Sequence, residues 1–519
     1  MAGESVLVID VGTSSVKAVL FDGGGRLLRA SDHPVETLAP HPGWAEQDPR
    51  GWWQATIEAV RALEITAMPL AVTLTGSMQN VIALDSEGAS LRPAILYSDA
   101  RVGPDEIAAL KTYLPVDFER RIGNRSEPAL CLFALDWLLR HEPGMMASVE
   151  RLLFGAKDAV IHRMTGRAVV DPTCATTTGL MNLAARSWDA EILGALGLSP
   201  AVLPDILDAD ALVGPLLPGP AAALGLEEGI PVYVGAGDGG ATAWGTASEA
   251  HDRPHAYLGT TGWIAATMPL NVARPPRDAY TLAAPVKTDV IVISPFLAAG
   301  LAIDWFAGIA GRPVAELYAA AETIDAEPPE VLFLPYLIGE RAPFFDRAVR
   351  GSFLGLDRQH GAEALAYAVL EGLAHAIRDN LDALPIRPST IALAGGVAGS
   401  LTVARLIADV TGATVTVPSA SRIVTAYGAF RLVAPVLGLT TNDGEAETLV
   451  APRPERAERA ARRFAAYRLS TAQARSLATY LAGEPFVEPG QPEAPAKVPA
   501  KRGRPKGSRN KAKAAPDRG

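Results

Sequence analysis

Two stretches of this chain share one design. VLVIDVGTSSVKAVLFD (residues 6–22) and HAYLGTTGWIAATM (residues 255–268) each run an apolar strand into a turn of glycine and hydroxyl residues, then into a second apolar strand. Gly12 and Gly259, which open the two turns, lie 247 positions apart. Strands and helices alternate after each unit, the pattern of an α/β domain. The repetition predicts two α/β domains of related design, residues 1–247 and 248–484, each beginning its sheet with a β-turn-β unit.

The punctuation between the strands agrees. Gly23, Gly24 and Gly25 turn the second strand into RLLRAS, giving an antiparallel meander. Asp48 followed by Pro49 marks the start of an amphipathic helix over 49–63, since a capping carboxylate and a proline at the first helical position both suit a helix N-terminus. LAVTLTG (70–76) reads as a short buried strand, and TIALAGGVAGS (390–400) as a strand ending in a glycine turn before the helix ARLIADVTG. The most apolar run, VIVISPFLAAGLAI (290–303), is too short to span a bilayer and reads as core. No basic, apolar leader precedes the first strand, and the two cysteines, Cys131 and Cys174, stand alone in sequence. Buried thiols in a reducing cytoplasm are therefore expected, with no membrane partner.

Three turns could hold phosphates. In Asp10-Val11-Gly12-Thr13-Ser14-Ser15, a tight turn presents successive N–H groups, Gly12 permits close approach, Thr13 and Ser14 add hydroxyls, and Lys17 adds charge. Asp10, at the strand end, has the hard oxygens that Mg²⁺ prefers. Gly259-Thr260-Thr261 repeats the arrangement. Gly395, Gly396 and Ser400 lie between a strand and a helix, where the helix N-terminus favours an anion. Asp238, flanked by Gly237 and Gly239, is open to a ligand. It reads either as the cap of a helix beginning near Ala241 or as a base that takes a proton from an attacking hydroxyl. Gly235, Gly237 and Gly240 also spell a dinucleotide fingerprint, but position 260 is Thr where the acidic ribose ligand would stand.

Taken in order, these segments resemble the FGGY family of carbohydrate kinases from about residue 5 to about 440. The likeness rests on VLVIDVGTSSVKAVLFD, WAEQDPRGWWQAT, TGSMQNVIALD, ILYSDAR, GAGDGGATAWG, YLGTTG, FLPYLIGERAPFFDRAVRGSFLGL and LAGGVAGS. The resemblance implies two ribonuclease H-like domains of the actin and hexokinase type around a cleft. It implies MgATP-dependent phosphorylation of a small sugar, with Asp238 as base and Asp10 on the magnesium side. Gly12, Thr13, Ser14, Lys17, Gly259, Thr260 and Thr261 would grip phosphates, and Gly395, Gly396 and Ser400 would lie near adenosine. Met78, Gln79, Arg101 and Asp238 would contact the sugar. A ketopentose such as D-xylulose leads, with a sugar acid such as D-gluconate as the alternative. Xylulokinases typically carry Met-His where this chain has Met78-Gln79, and Asp-Asn where it has Asp238-Gly239; Trp263 is bulkier than the family pattern.

Charge sets the C-terminus apart. Residues 497–519 carry five Lys, four Arg and one Asp, leaving residues 1–496 with a net charge of −18. The Pro- and Lys-rich segment 485–519 is expected to be disordered. Within it KRGRPKGSRNK (501–511) resembles an AT-hook, which suits the narrow minor groove of A·T-rich DNA; a loosely polyanion-binding tail is the plainer alternative. A sugar-sensing, DNA-associated regulator and a nicotinamide dehydrogenase are the competing function classes, and self-association as a homodimer stays open.

Overall fold

The computed structural model describes residues 4–273, 279–285, 289–417, 423–441 and 448–482. The AT-hook-like segment and the rest of 485–519 lie outside the described residues. The first domain opens with β1 (Ser5–Val11), β2 (Ser15–Asp22) and β3 (Leu27–Pro34), then α1 (Pro49–Ala62) and β4 (Ala71–Gly76). Further elements include α2 (Ala156–Thr165), α3 (Pro172–Thr176), β5 (Leu212–Pro215), β6 (Pro231–Gly237) and α4 (Asp238–Gly245). The six-stranded sheet has the order β5-β6-β4-β1-β2-β3, antiparallel through the meander and parallel across β1, β4 and β6. The helix foretold over 49–63 ends at Ala62, and the Asp48 carboxylate caps it by accepting the Arg50 N–H.

The second domain repeats this plan. Its elements are β7 (His255–Leu258), β8 (Gly262–Pro269), β9 (Tyr280–Ala283), β10 (Asp289–Phe296), α5 (Gly300–Ala310), α6 (Ala362–Asp382), β11 (Thr390–Ala394), α7 (Leu401–Thr411), β12 (Thr414–Val417), α8 (Val424–Val433), β13 (Thr448–Val450) and α9 (Ala457–Leu481). The sheet order is β9-β10-β8-β7-β11-β12-β13. Here β10, β8 and β7 form the antiparallel meander, and β7, β11 and β12 run parallel, as β1, β4 and β6 do in the first sheet. The run 290–303 supplies β10 and the start of α5, so its apolar character serves the core.

Both faces of β1 are covered, which explains its unbroken apolar run. Leu7, Ile9 and Val11 pack with Trp52, Ala55 and Ala59 of α1. Val6 and Val8 face the other way, against Ala426, Ala429, Phe430 and Val433 of α8. The chain thus returns from the second domain to cover the first sheet. Helix α8 crosses α4 so closely that a Cβ on Gly428 would overlap the Ala241 carbonyl, and one on Gly245 would overlap the Val424 carbonyl.

Side chains of the first domain also finish the edge of the second sheet. The Asn124 amide accepts the Thr281 N–H and donates to the Thr281 carbonyl, both at 2.8 Å. Thr173 Oγ1 donates to the Ala283 carbonyl (2.8 Å), and Thr176 Oγ1 accepts the Ala283 N–H (2.9 Å). The edge groups of β9 are satisfied without another strand.

Gly428→Ala should force α8 away from α4 and lower stability by about 1–3 kcal/mol, the usual cost of overpacking a filled contact. Urea denaturation checks this, and an unchanged midpoint would refute the tight crossing.

Candidate active site

At the β1–β2 turn the Gly12 N–H donates to the Ser15 carbonyl (3.1 Å), and a Cβ on Gly12 would stand 3.0 Å from that same oxygen. Gln47 braces the turn from behind. Its Nε2 donates to the Thr13 carbonyl (2.6 Å), while its Oε1 accepts the Trp52 indole N–H (2.8 Å), which fixes the orientation of the amide. Gln47 and Trp52 are fully buried, so the tryptophan-rich segment 44–56 serves as a buttress for the turn. Ser14 is left exposed at the tip. Asp10 stands opposite Lys17 across the β1–β2 ladder. Burial raises the Asp10 pKa, and the Lys17 charge opposes the rise.

The second turn is held by a helix. The Gly259 and Thr260 carbonyls accept N–H groups of Gly300 (2.7 Å) and Leu301 (3.0 Å) at the start of α5, leaving the Thr260 and Thr261 side chains exposed. At the third, Gly395 has φ 91°, and a Cβ there would sit 2.6 Å from the Leu258 carbonyl oxygen. The glycine therefore lets β11 end against the end of β7. A Cβ on Gly396 would meet nothing within 4 Å, so that backbone faces open space. Ser400 caps α7, its hydroxyl accepting the Val403 N–H at 3.4 Å.

Asp238 is the first residue of α4, not a loop residue ahead of a helix near Ala241; Gly237 occupies the cap position. Its carboxylate accepts the Gly239 N–H (2.8 Å), and the side chain is open to solvent at its outer face. The protein massed around it, the Asp10 charge and, more weakly, Asp171 push its pKa to about 7 against the pull of the Gly239 N–H. The fingerprint glycines have packing roles. Gly235, at φ 65°, forms a bulge against the Leu74 backbone, a side chain on Gly237 would overlap Met78 Sδ, and one on Gly240 would stand 2.8 Å from Thr173 Oγ1. Beneath Gly237 lies a group the sequence reading passed over: Lys157, Asp158 and Asp171, all fully buried. A Lys-Asp pair inside the apolar run LLFGAKDAVIH was the available signal.

The expected sugar residues divide. Met78 packs against Gly237 and Gly239 beside Asp238. Gln79 has φ 61°, an uncommon conformation for a residue with a side chain, and its amide donates to the Ala129 carbonyl at 3.2 Å. Arg101 is enclosed, with its side chain 1% exposed. Its guanidinium bonds Asp99 (2.8 Å) and Glu46 (2.6 Å) and lies 3.8 Å over the Trp44 ring, so its described partners belong to the protein. Trp263 stacks on Tyr257 with ring centroids 4.0 Å apart, and burial, followed by the Asp238 charge, raises the Tyr257 pKa. A Cβ on Gly239 would lie 3.2 Å from Leu282 Cδ1 and 3.4 Å from Met78 Cε, so the position is closely lined by two apolar side chains.

Comparison with known proteins decides the family. Residues 5–245 match the N-terminal domain, and residues 257–434 the C-terminal domain, of the FGGY family of carbohydrate kinases. The chain belongs to this family. It is 34% identical over 437 residues to the xylulose kinase of Escherichia coli (strain K12), covering 82% of this chain and 88% of the relative. The fold matches ligand-bound xylulose kinase from Lactobacillus acidophilus with a TM-score of 0.82 at 25% identity, covering 93% and 99% of the two chains. Gluconate kinase from the same organism matches with a TM-score of 0.81 at 25% identity, covering 92% and 99%. The FGGY chain is thus an ATP-dependent sugar kinase with the two-domain α/β fold. Among the described residues no helix is long and apolar enough to cross a membrane.

The raised pKa of Asp238 has a consequence for stability. Ionising it costs more in the folded chain than in the unfolded one, so its contribution is full below the ordinary value of 3.8 and is lost as pH rises through about 7. Asp238→Asn should therefore gain thermal stability over the parent at pH 8.5 and lose that gain near pH 4. Equal differences at both pH values would contradict the shift.

Proposed function

We propose that this FGGY kinase transfers the γ-phosphate of MgATP to a hydroxyl of D-xylulose, with residues 1–247 supplying sugar and phosphate contacts and 248–484 the nucleotide site. The observation that carries the reading is Asp238, an accessible carboxylate at the end of β6 with a pKa of about 7. A base poised near neutrality can accept a hydroxyl proton as the oxygen attacks phosphorus. Gly12, Thr13, Ser14 and Lys17 on one side, and Gly259, Thr260 and Thr261 on the other, would hold the phosphates. Gly395 and Gly396 would leave room for adenosine beside Ser400.

Asp10 suits magnesium. No N–H or O–H group among the described residues donates to its carboxylate, and it sits at a strand end beside the phosphate turn. Mg²⁺ bound there, with part of its water shell, would neutralise phosphate charge. It would also oppose the charge coupling between Asp10 and Asp238.

Met78 and Gln79 would face the sugar from the loop after β4. D-xylulose is favoured by the similarity to xylulose kinases; Gly239 and the likeness to a gluconate kinase make D-gluconate the second candidate. The test is ADP release with MgATP against D-xylulose, D-gluconate, D-ribulose, L-ribulose, glycerol and erythritol. Saturable turnover strongest on D-xylulose is expected; a clear preference for D-gluconate would replace that substrate, and turnover on none would refute the reading. Because the base must be ionised, kcat/KM should fall as pH drops below about 7, approaching tenfold per pH unit. A flat profile from pH 5 to 8 would contradict it.

The segment 501–511 supports a separate proposal, an A·T-rich DNA contact outside the kinase body, which removal of residues 497–519 should abolish in a binding assay. Undiminished A·T-selective binding by the shortened chain would overturn it.

A further inference from the structure

Directly beneath the residue preceding Asp238 lies a closed set of charges. Lys157 Nζ is 2.8 Å from Asp158 Oδ1 and 3.0 Å from Asp171 Oδ1, and all three side chains are 0% exposed. Ions are costly to bury unless paired and hydrogen-bonded, and this set is both. Asp158 Oδ2 accepts the Gly155 N–H at 2.8 Å. Asp171 Oδ2 accepts the N–H groups of Thr173 (3.0 Å) and Cys174 (3.2 Å), capping α3. Asp171 Oδ1, the oxygen paired with Lys157, also accepts the Gly237 N–H at 3.1 Å.

That last bond reaches the candidate catalytic centre. Gly237 is the cap residue of α4, so its position sets where Asp238 begins the helix. Met78 blocks the other side of Gly237. Asp171 also governs α3, whose Thr173 and Thr176 hold the edge of the second sheet at Ala283. One carboxylate therefore joins a buried lysine, the helix at the domain junction and the backbone beside Asp238. A capping role alone accounts for Oδ2; it leaves unexplained why Oδ1 is shared between Lys157 and Gly237.

We propose that Asp171, anchored by Lys157, is a positioning residue that fixes Asp238 through the Gly237 N–H. The inference rests on Asp238 being the base. Lys157 holds Oδ1 in place, and that oxygen holds the Gly237 amide. Loss of the bond would let the first turn of α4 shift, and small displacements of a reacting group are costly in rate.

Asp171→Asn tests this. The amide oxygen can still cap α3, and Lys157 keeps Asp158 as its partner, but the new NH₂ cannot accept from Gly237 or pair with Lys157. The full-length variant should bind MgATP and sugar within about threefold of the parent while kcat falls about 30-fold, a size in keeping with an ångström-scale misplacement. In an Asp238→Asn background, single-turnover measurement should show no further loss, because no base remains to be positioned. A general loss of folded enzyme would instead lower the residual rate by the same factor. Equal losses in the two backgrounds, or an unchanged kcat in Asp171→Asn alone, would overturn the inference. Near-normal turnover of Asp238→Asn alone would defeat the base assignment, and with it the premise.

Should Asp171→Asn not fold, the double variant Lys157→Met with Asp158→Asn keeps the net buried charge and leaves Asp171 its backbone donors. It should show a smaller loss of kcat, about fivefold, that again vanishes when Asp238 is Asn. Unchanged kcat there would overturn the role of Lys157.

Discussion

The candidate site depends on the parallel register of three strands. Val11 of β1 pairs with Gly76 of β4, and Gly76 pairs with Gly237 of β6, so the three strands end level. Asp10 lies one residue before that line and Asp238 one residue after it. The loop bearing Met78 and Gln79 leaves from the strand between them. The closeness is possible because Gly76 has no side chain; a Cβ there would stand 2.5 Å from the Val11 carbonyl oxygen. The second sheet repeats the device where Gly395, just past β11, meets the Leu258 carbonyl of β7. Hydrogen-bonded register, more than any single contact, thus sets which polar groups converge at each sheet end.

Convergence has an electrostatic cost. Asp238 is crowded by protein and faces Asp10, so its charged form is disfavoured until neutral pH. The same crowding suits the base role proposed for it. Around it the chain is braced by backbone bonds and buried polar groups: Gln47 behind the first turn, the start of α5 behind the second, and Asp171 behind Gly237. Such supports leave the reactive faces open while restricting the turns, which is what electrostatic stabilisation of phosphoryl transfer requires.

The architecture was legible because its signals are local. Apolar strands, Gly-Thr turns and the Asp48-Pro49 start each announce themselves within a few residues, and the doubled β-turn-β unit announced the second domain. The FGGY resemblance drew attention to Asp10 and Asp238, and the strand register brings both to the level ends of β1 and β6. What stayed hidden depends on contacts distant in sequence. Nothing in VTAYGAFRLV shows that this helix belongs against β1, hundreds of residues away. Arg101 entered as a sugar contact only through the family resemblance, and its packing among Trp44, Trp137 and Glu46 is visible only in the fold. Ser400, expected at a helix N-terminus near adenosine, caps that helix, α7, with its own hydroxyl. The start of α4 was placed three residues late because its glycines argue locally for a turn, whereas the helix is enforced by packing against α8.

The proposed phosphoryl transfer depends most directly on Asp238 as the group that accepts the sugar's proton. Single-turnover transfer from bound MgATP in Asp238→Asn measures this without interference from product release. The account predicts a loss of at least about 10²-fold in the transfer step, the lower range for removing a general base, with MgATP affinity held within about threefold. Transfer at a rate near that of the parent, with ATP and sugar bound, would contradict it.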